Sequence, residues 1–179
     1  MGIAGEVRGA HRSRICIMAT SRSVLLARLH RRNIPREVRI RPVAPSDRED
    51  LSTLLYASFR GTVDDEGETA ADARTEIEKT FAGTYGRFLP DCSFVIRQSE
   101  GLAAACLVTW FEPHQAPLVA FSMTLPAHQR RGFATTLLRA SMNALLDRGY
   151  AVLTLVVTKE NVPAQALYRK LGFLPMPEE

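Results

Sequence analysis

Apolar positions follow two periods along this chain, and their succession outlines a folded unit from residue 37 onward. Residues 38–43 read Val-Arg-Ile-Arg-Pro-Val, the alternation of a half-buried strand. Leu51, Leu54, Leu55 and Phe59 then repeat at helical spacing up to Arg60, where Gly61 stops the helix; Ser46 is the expected N-cap, with Glu49 completing a capping box. A second helix is expected over 69–82, with Ile77 and Phe81 on its inner face. Residues 93–97, 102–111 and 117–125 read as three successive strands joined by tight turns at 98–101 and 112–116. Residues 133–146 form the clearest helix, with Phe133, Leu137, Leu138, Met142, Leu145 and Leu146 in one stripe and Gly149 placed for a left-handed cap. The nearly unbroken apolar run 151–158 suits a buried parallel strand. Asn161 caps a last short helix, with Pro163 in its first turn and Gly172 closing it. The order strand, two helices, three strands, helix, strand, helix predicts a mixed α/β (α+β) domain. Strands 117–125 and 151–158, joined through a helix, form a right-handed parallel crossover.

Charge changes the picture only at the front of the chain. The net charge is +4, but residues 1–36 hold 8 of the 23 basic residues and a single acid, Glu6, leaving the remainder at −3. Residues 1–36 therefore read as a separate Arg-rich extension, and 37–179 as the domain. Three readings of the extension compete: an early start with Met18 as the true one, a flexible arm, or a targeting segment. Its apolar clusters at 15–18 and 24–29 leave open that part of it folds against something. Three cysteines, Cys16, Cys92 and Cys106, show no paired spacing, which argues against a disulfide framework or a zinc site and for a reducing, cytoplasmic setting. No apolar stretch is long enough to span a bilayer. Basic residues other than Lys79, Lys159 and Lys170 are all Arg, a composition that fits a GC-rich bacterial genome.

The chemistry gathers around Gln129-Arg130-Arg131-Gly132-Phe133-Ala134-Thr135, where a strand gives way to a helix. The first N–H groups of a helix lack internal partners and carry partial positive charge, so an anion can sit there if the backbone approaches closely, which Gly132 and the small Ala134 favour. Spacing alone leaves an ordinary strand-to-helix turn with solvated arginines equally open.

Two motifs narrow this choice. The loop resembles the signature of the GNAT N-acyltransferase superfamily, Gln/Arg-x-x-Gly-x-Gly/Ala, at positions 129, 132 and 134. A second match lies downstream at Asn161-x-x-Ala164-x-x-Leu167-Tyr168-x-x-Leu171-Gly172-Phe173. The resemblance covers 37–175 and implies a GNAT-type fold with acetyl- or acyl-CoA as co-substrate. The pyrophosphate would lie on the backbone N–H groups from Arg130 to Thr135. The pantetheine arm would pair with the open edge of Ser122-Met123-Thr124 and meet Asn161. A backbone N–H near Met123 or Thr124 would face the oxyanion. Tyr168 matches the family tyrosine that points its hydroxyl at the sulfur, and would act as general acid or hydrogen-bond donor to the leaving thiolate.

The general base is not read from the resemblance. Glu112 and His114, in the turn at 112–116, and His128, beside the loop, are weak candidates against the plainer reading of solvated surface, and bulk water is another. Asp64, Asp65, Glu66 and Glu68 fall where the family builds its acceptor site; an acidic rim there fits a cationic amine, and a solvated loop is the plainer reading. The family usually adds further strands beyond the position of Phe173, so an exposed sheet edge is expected, covered by dimerisation or by residues 15–29. Three functions compete. The first is an N-acetyltransferase acting on a small or peptide amine, and the second a catalytically silent CoA-binding module. The third, a nucleic-acid binder using its Arg arm, is opposed by the acidic body and the lack of interleaved aromatics.

Overall fold

The computed structural model describes residues 22–176. Among them, strands β1 (Arg22–Arg28), β2 (Arg41–Pro42), β3 (Phe94–Gln98), β4 (Gly101–Phe111), β5 (Ala116–Thr124), β6 (Val152–Thr158) and β7 (Leu174–Pro175) form one sheet. Helices α1 (Arg48–Phe59), α2 (Ala70–Phe81), α3 (Phe133–Asp147) and α4 (Val162–Lys170) flank it. The order across the sheet is β2-β3-β4-β5-β6-β1-β7. All neighbours are antiparallel except β5 and β6, the parallel pair joined through α3.

Period-2 alternation along the central strands sends side chains to two separate cores. Val95, Leu107, Phe121 and Met123 pack with Leu51, Leu54, Leu55 and Ile77 of α1 and α2. Ile96, Cys106, Leu153 and Leu155 pack on the other face with Leu137, Leu138 and Met142 of α3 and with Tyr168 and Leu171. The sheet is thus covered on both faces, which explains why β4 and β6 read as apolar runs.

Two local expectations shift. The expected cap at Ser46 is replaced by Asp47: a short turn, Pro45–Asp47, precedes α1, and the Asp47 carboxylate accepts the Ala44 N–H at 2.8 Å. It also takes two 2.7 Å bonds from the Arg41 guanidinium, a charged partner that Ser46 has no means to engage. The strand expected over 38–43 is shorter than its alternation: it pairs with β3 at Arg41 and Pro42, and Val43 N–H adds one bond to Ser93 O at 2.9 Å. By contrast, α2 begins at the capping box of Thr69 and Asp72, and Asn161 caps α4 by accepting the Ala164 N–H at 3.1 Å.

Arg22–Arg28, which composition groups with the extension, runs inside the sheet. All seven residues pair with β6, from Arg22 opposite Thr158 to Arg28 opposite Val152, and β7 joins its far side. Leu25 and Ala27 belong to the core. The edge of β6 is therefore covered by the chain's own segment. Residues 29–33 then run along α3: Asn143 holds both the N–H and the C=O of Arg32, at 2.8 and 2.9 Å, and the Arg32 guanidinium donates to Leu171 O at 2.6 Å. The rest of the extension, including Cys16, Met18 and the apolar cluster at 15–18, lies outside the described residues, as do 177–179.

Candidate active site

The site begins where β5 and β6 part. They pair only at Leu118–Thr154 and Val119–Leu155. On the other side of β5, Val108 faces Val119 and Leu107 faces Phe121, so Ala120 stands unopposed in a bulge. A bulge bends its strand and raises its twist. Beyond it, β5 continues to Thr124 and β6 to Thr158 with no pairing between them, leaving open backbone edges at the carboxyl ends of two parallel strands. A cavity of about 140 Å³ occupies the split, lined by residues 119–122 and 155–158 with Phe59, Asp64, Asn161 and Tyr168.

A larger cleft of about 750 Å³ adjoins it, between the starts of α3 and α4 and the loop after α1. At one end lies the Gln129–Thr135 loop. Gly132 takes a left-handed conformation, φ 78°, which an L-residue adopts at a cost, and Arg130 is also left-handed at φ 58°. Thr136 donates to Gly132 O at 2.9 Å, so the N–H groups of Phe133, Ala134 and Thr135 precede the helical ladder. Gln129, Arg130, Gly132, Phe133, Ala134 and Thr135 all line the cleft. Arg131 does not: it donates to His128 Nδ1 at 2.9 Å and lies over the Phe133 ring.

At the other end stands Tyr168, which lines both cavities and is only 9% exposed. Burial pushes its hydroxyl up to about 12, with the charges of Cys106 and Asp64 acting in the same direction and a hydrogen bond with Ser122 acting against them. The group therefore stays protonated at neutral pH. Ser122, Thr124 and Asn161 line the cleft beside it, whereas the Met123 side chain points into the opposite core, leaving only its backbone to serve.

The chain matches the model of the acetyltransferase (GNAT) family over residues 49–173. It belongs to that family. A search of curated proteins returns no match. Solved structures share the GNAT fold. A GCN5-related N-acetyltransferase from Sphaerobacter thermophilus aligns over 87% of this chain and 48% of its own, at 15% identity and TM-score 0.66. The ribosomal-protein-S18-alanine N-acetyltransferase from Escherichia coli aligns over 78% and 79%, at 24% identity and TM-score 0.59. AAC(6')-Iy in complex with the bisubstrate analog CoA-S-monomethyl-acetylneamine aligns over 79% and 94%, at 16% identity and TM-score 0.58. The chain spans about half the length of the first of these.

Within this GNAT domain the base candidates separate. Glu112 and His114 sit in the short turn before β5, six residues of strand or roughly 20 Å from Ser122. Glu112 is exposed, and hydrogen bonds from Gln115 and Trp110 hold its carboxyl below the usual carboxylate range, the opposite of what a base needs. His114 is turned toward Thr154: the Thr154 hydroxyl donates to Pro117 O at 3.0 Å, so the 3.1 Å contact is donated by His114 Nδ1. His128 lines the cleft, with Nδ1 already accepting from Arg131.

Sequence reasoning placed Asp64 in an acidic rim but did not bring it to the split. It is half-buried there, lining both cavities, with Thr158 Oγ1 donating to one carboxylate oxygen and Asn161 Nδ2 donating to the other at 2.8 Å. No local pattern reveals a bond across more than ninety residues. Ser58, whose buried hydroxyl has no partner among the described residues, was likewise missed; it lines the larger cleft from the last turn of α1.

Proposed function

We propose that this chain is an N-acetyltransferase that transfers an acetyl group from acetyl-CoA to a primary amine. The observation that carries the reading is Tyr168, a buried, protonated hydroxyl at the split between β5 and β6, at the far end of a cleft that begins on the α3 N-terminus. The cleft's size and its pairing of a polar, N–H-rich end with a narrow strand-edged end suit a phosphate-bearing, elongated thioester. The co-substrate would supply an activated acetyl group.

The chain's own residues bind and orient it. The N–H groups of Phe133 to Thr135 and the charge of Arg130 hold the pyrophosphate, and the open edge of β5 from Ser122 to Thr124 takes the amide-bearing arm as an added strand would. The acceptor nitrogen then bonds to the thioester carbon while the carbon–sulfur bond breaks, and the nitrogen loses its proton to solvent. Tyr168 meets the sulfur as the thiolate leaves. A thiol is the stronger acid, at about 8.5, so a hydroxyl near 12 stabilises the thiolate by hydrogen bonding rather than by giving up its proton.

A thiol-release assay with acetyl-CoA across a panel of primary amines tests this. At least one amine should be turned over by the wild type, and Tyr168→Phe should lower kcat about 100-fold with little change in acetyl-CoA affinity. CoA binding without turnover of any amine would favour a silent CoA-binding module instead.

A further inference from the structure

The split between β5 and β6 opens toward both faces of the sheet. The proposed donor cleft lies among α3, α4 and the loop after α1, and Asp64 reaches the split from that loop, whose parent helices cover the opposite face. Asp64 is the one carboxylate lining the cavity of the split among the described residues. Its loop is held by internal bonds, with Gly61 N–H donating to Asp65 at 2.6 Å and Asp64 N–H to Thr62 Oγ1 at 3.2 Å. Thr158 and Asn161 each donate to a different oxygen of the carboxylate, which fixes its orientation without filling it, since an ionised carboxylate offers about four lone-pair sites. Its charge is felt at Tyr168. Arg22, the one cation lining the same cavity among the described residues, pairs with Glu66 at 3.2 Å.

A fixed negative charge beside the position of the reacting sulfur has a direct chemical meaning. An amine attacking a carbonyl carbon develops positive charge on nitrogen, and an amine protonated in solution carries it beforehand. We infer that Asp64 is the acceptor-binding residue: it receives the cationic nitrogen, and the acceptor is therefore an aliphatic amine charged at neutral pH rather than an aniline or a hydroxylated neutral compound. This rests on the acyl-CoA reading above. The competing role is a clasp, in which Asp64 only ties the loop to β6 and α4.

Two CoA thioethers of equal size separate these roles without turnover: S-(2-aminoethyl)-CoA, which puts an ammonium beside the sulfur, and S-propyl-CoA, which puts a methyl there. Calorimetry should show the wild type preferring the ammonium compound by about tenfold, the worth of one charge-assisted hydrogen bond. Asp64→Asn should bind both equally, and Thr158→Val, which removes one tie but keeps the charge, should keep the preference. Should Asp64→Asn fail to fold, Asp64→Glu retains the charge and should still favour the ammonium compound. Equal binding of the two compounds by the wild type, or a preference that survives Asp64→Asn, overturns the assignment. Failure of the wild type to bind either compound or CoA itself overturns the acyl-CoA reading beneath it.

Discussion

At the scale of single residues, burial and backbone geometry set the properties of the site. Burial lifts the Tyr168 hydroxyl to about 12, against about 10 in an unfolded chain. The sign follows: the stability this contributes is complete below pH 10 and is lost as pH rises toward 12, because the unfolded chain ionises first. Melting curves of wild type and Tyr168→Phe should therefore converge over that window, Phe having no proton to lose; parallel curves would contradict the burial of the hydroxyl. Gly132 holds φ 78°, and no atom lies within 4 Å of where a Cβ would stand, so the cost of a side chain there is conformational. Gly132→Ala should lose about 1 kcal/mol of stability and weaken CoA binding, and Gly132→Val should weaken it further. Glutamate at Arg131 should weaken it only partly, because that side chain rests on His128 and Phe133.

At the scale of elements, two contacts outside the site fix how helices meet strands. Asp47, with a side chain 4% exposed, joins the front of α1 to β2 through Arg41 and the Ala44 N–H. The Arg41 hydrogen bond holds the Asp47 carboxyl below its ordinary value despite burial, so its contribution is present at neutral pH and disappears on acidification. Asp47→Asn should cost about 2 kcal/mol in urea unfolding at pH 7, and less as the pH falls below the carboxylate range. Gly86 is a steric case: at φ 94°, a Cβ would come within 1.8 Å of Trp110 O. Gly86→Ala should cost about 3 kcal/mol or more, read as a shifted unfolding midpoint. Neither contact was visible beforehand. The capping rule pointed to Ser46 because it weighs neighbours three residues apart, whereas Asp47 is chosen by Arg41 across a turn; Gly86 is demanded by β4, more than twenty residues on.

At the scale of the whole molecule, what could be read in advance was what repeats locally. The helices at 133–147 and 70–81 and the strands β3 to β6 follow from periodicity, whereas the readings of the α3 loop and Tyr168 rest on the resemblance to the GNAT motifs at 129–134 and 161–173. β1 was legible only as an apolar cluster at 24–29 able to cover a sheet edge, and its exact pairing was not, because Arg-Ser-Val-Leu-Leu-Ala-Arg does not alternate and its partner β6 lies far along the chain. Asp64 was hidden for the same reason, its partners being Thr158 and Asn161. Placing β1 between β6 and β7 makes a prediction about integrity. Ala27, 1% exposed, faces the core, so Ala27→Asp should bury an unpaired charge and cost at least 3 kcal/mol, and deletion of residues 1–28 should abolish a single cooperative transition. There is a temporal side to this insertion. A ribosome releases Val24 to Ala27 long before it makes their partners in β6, so an apolar segment must wait, unpaired, through most of synthesis. Docking β1 closes the long loop between Arg28 and Val152, so a slow phase of renaturation should track that step.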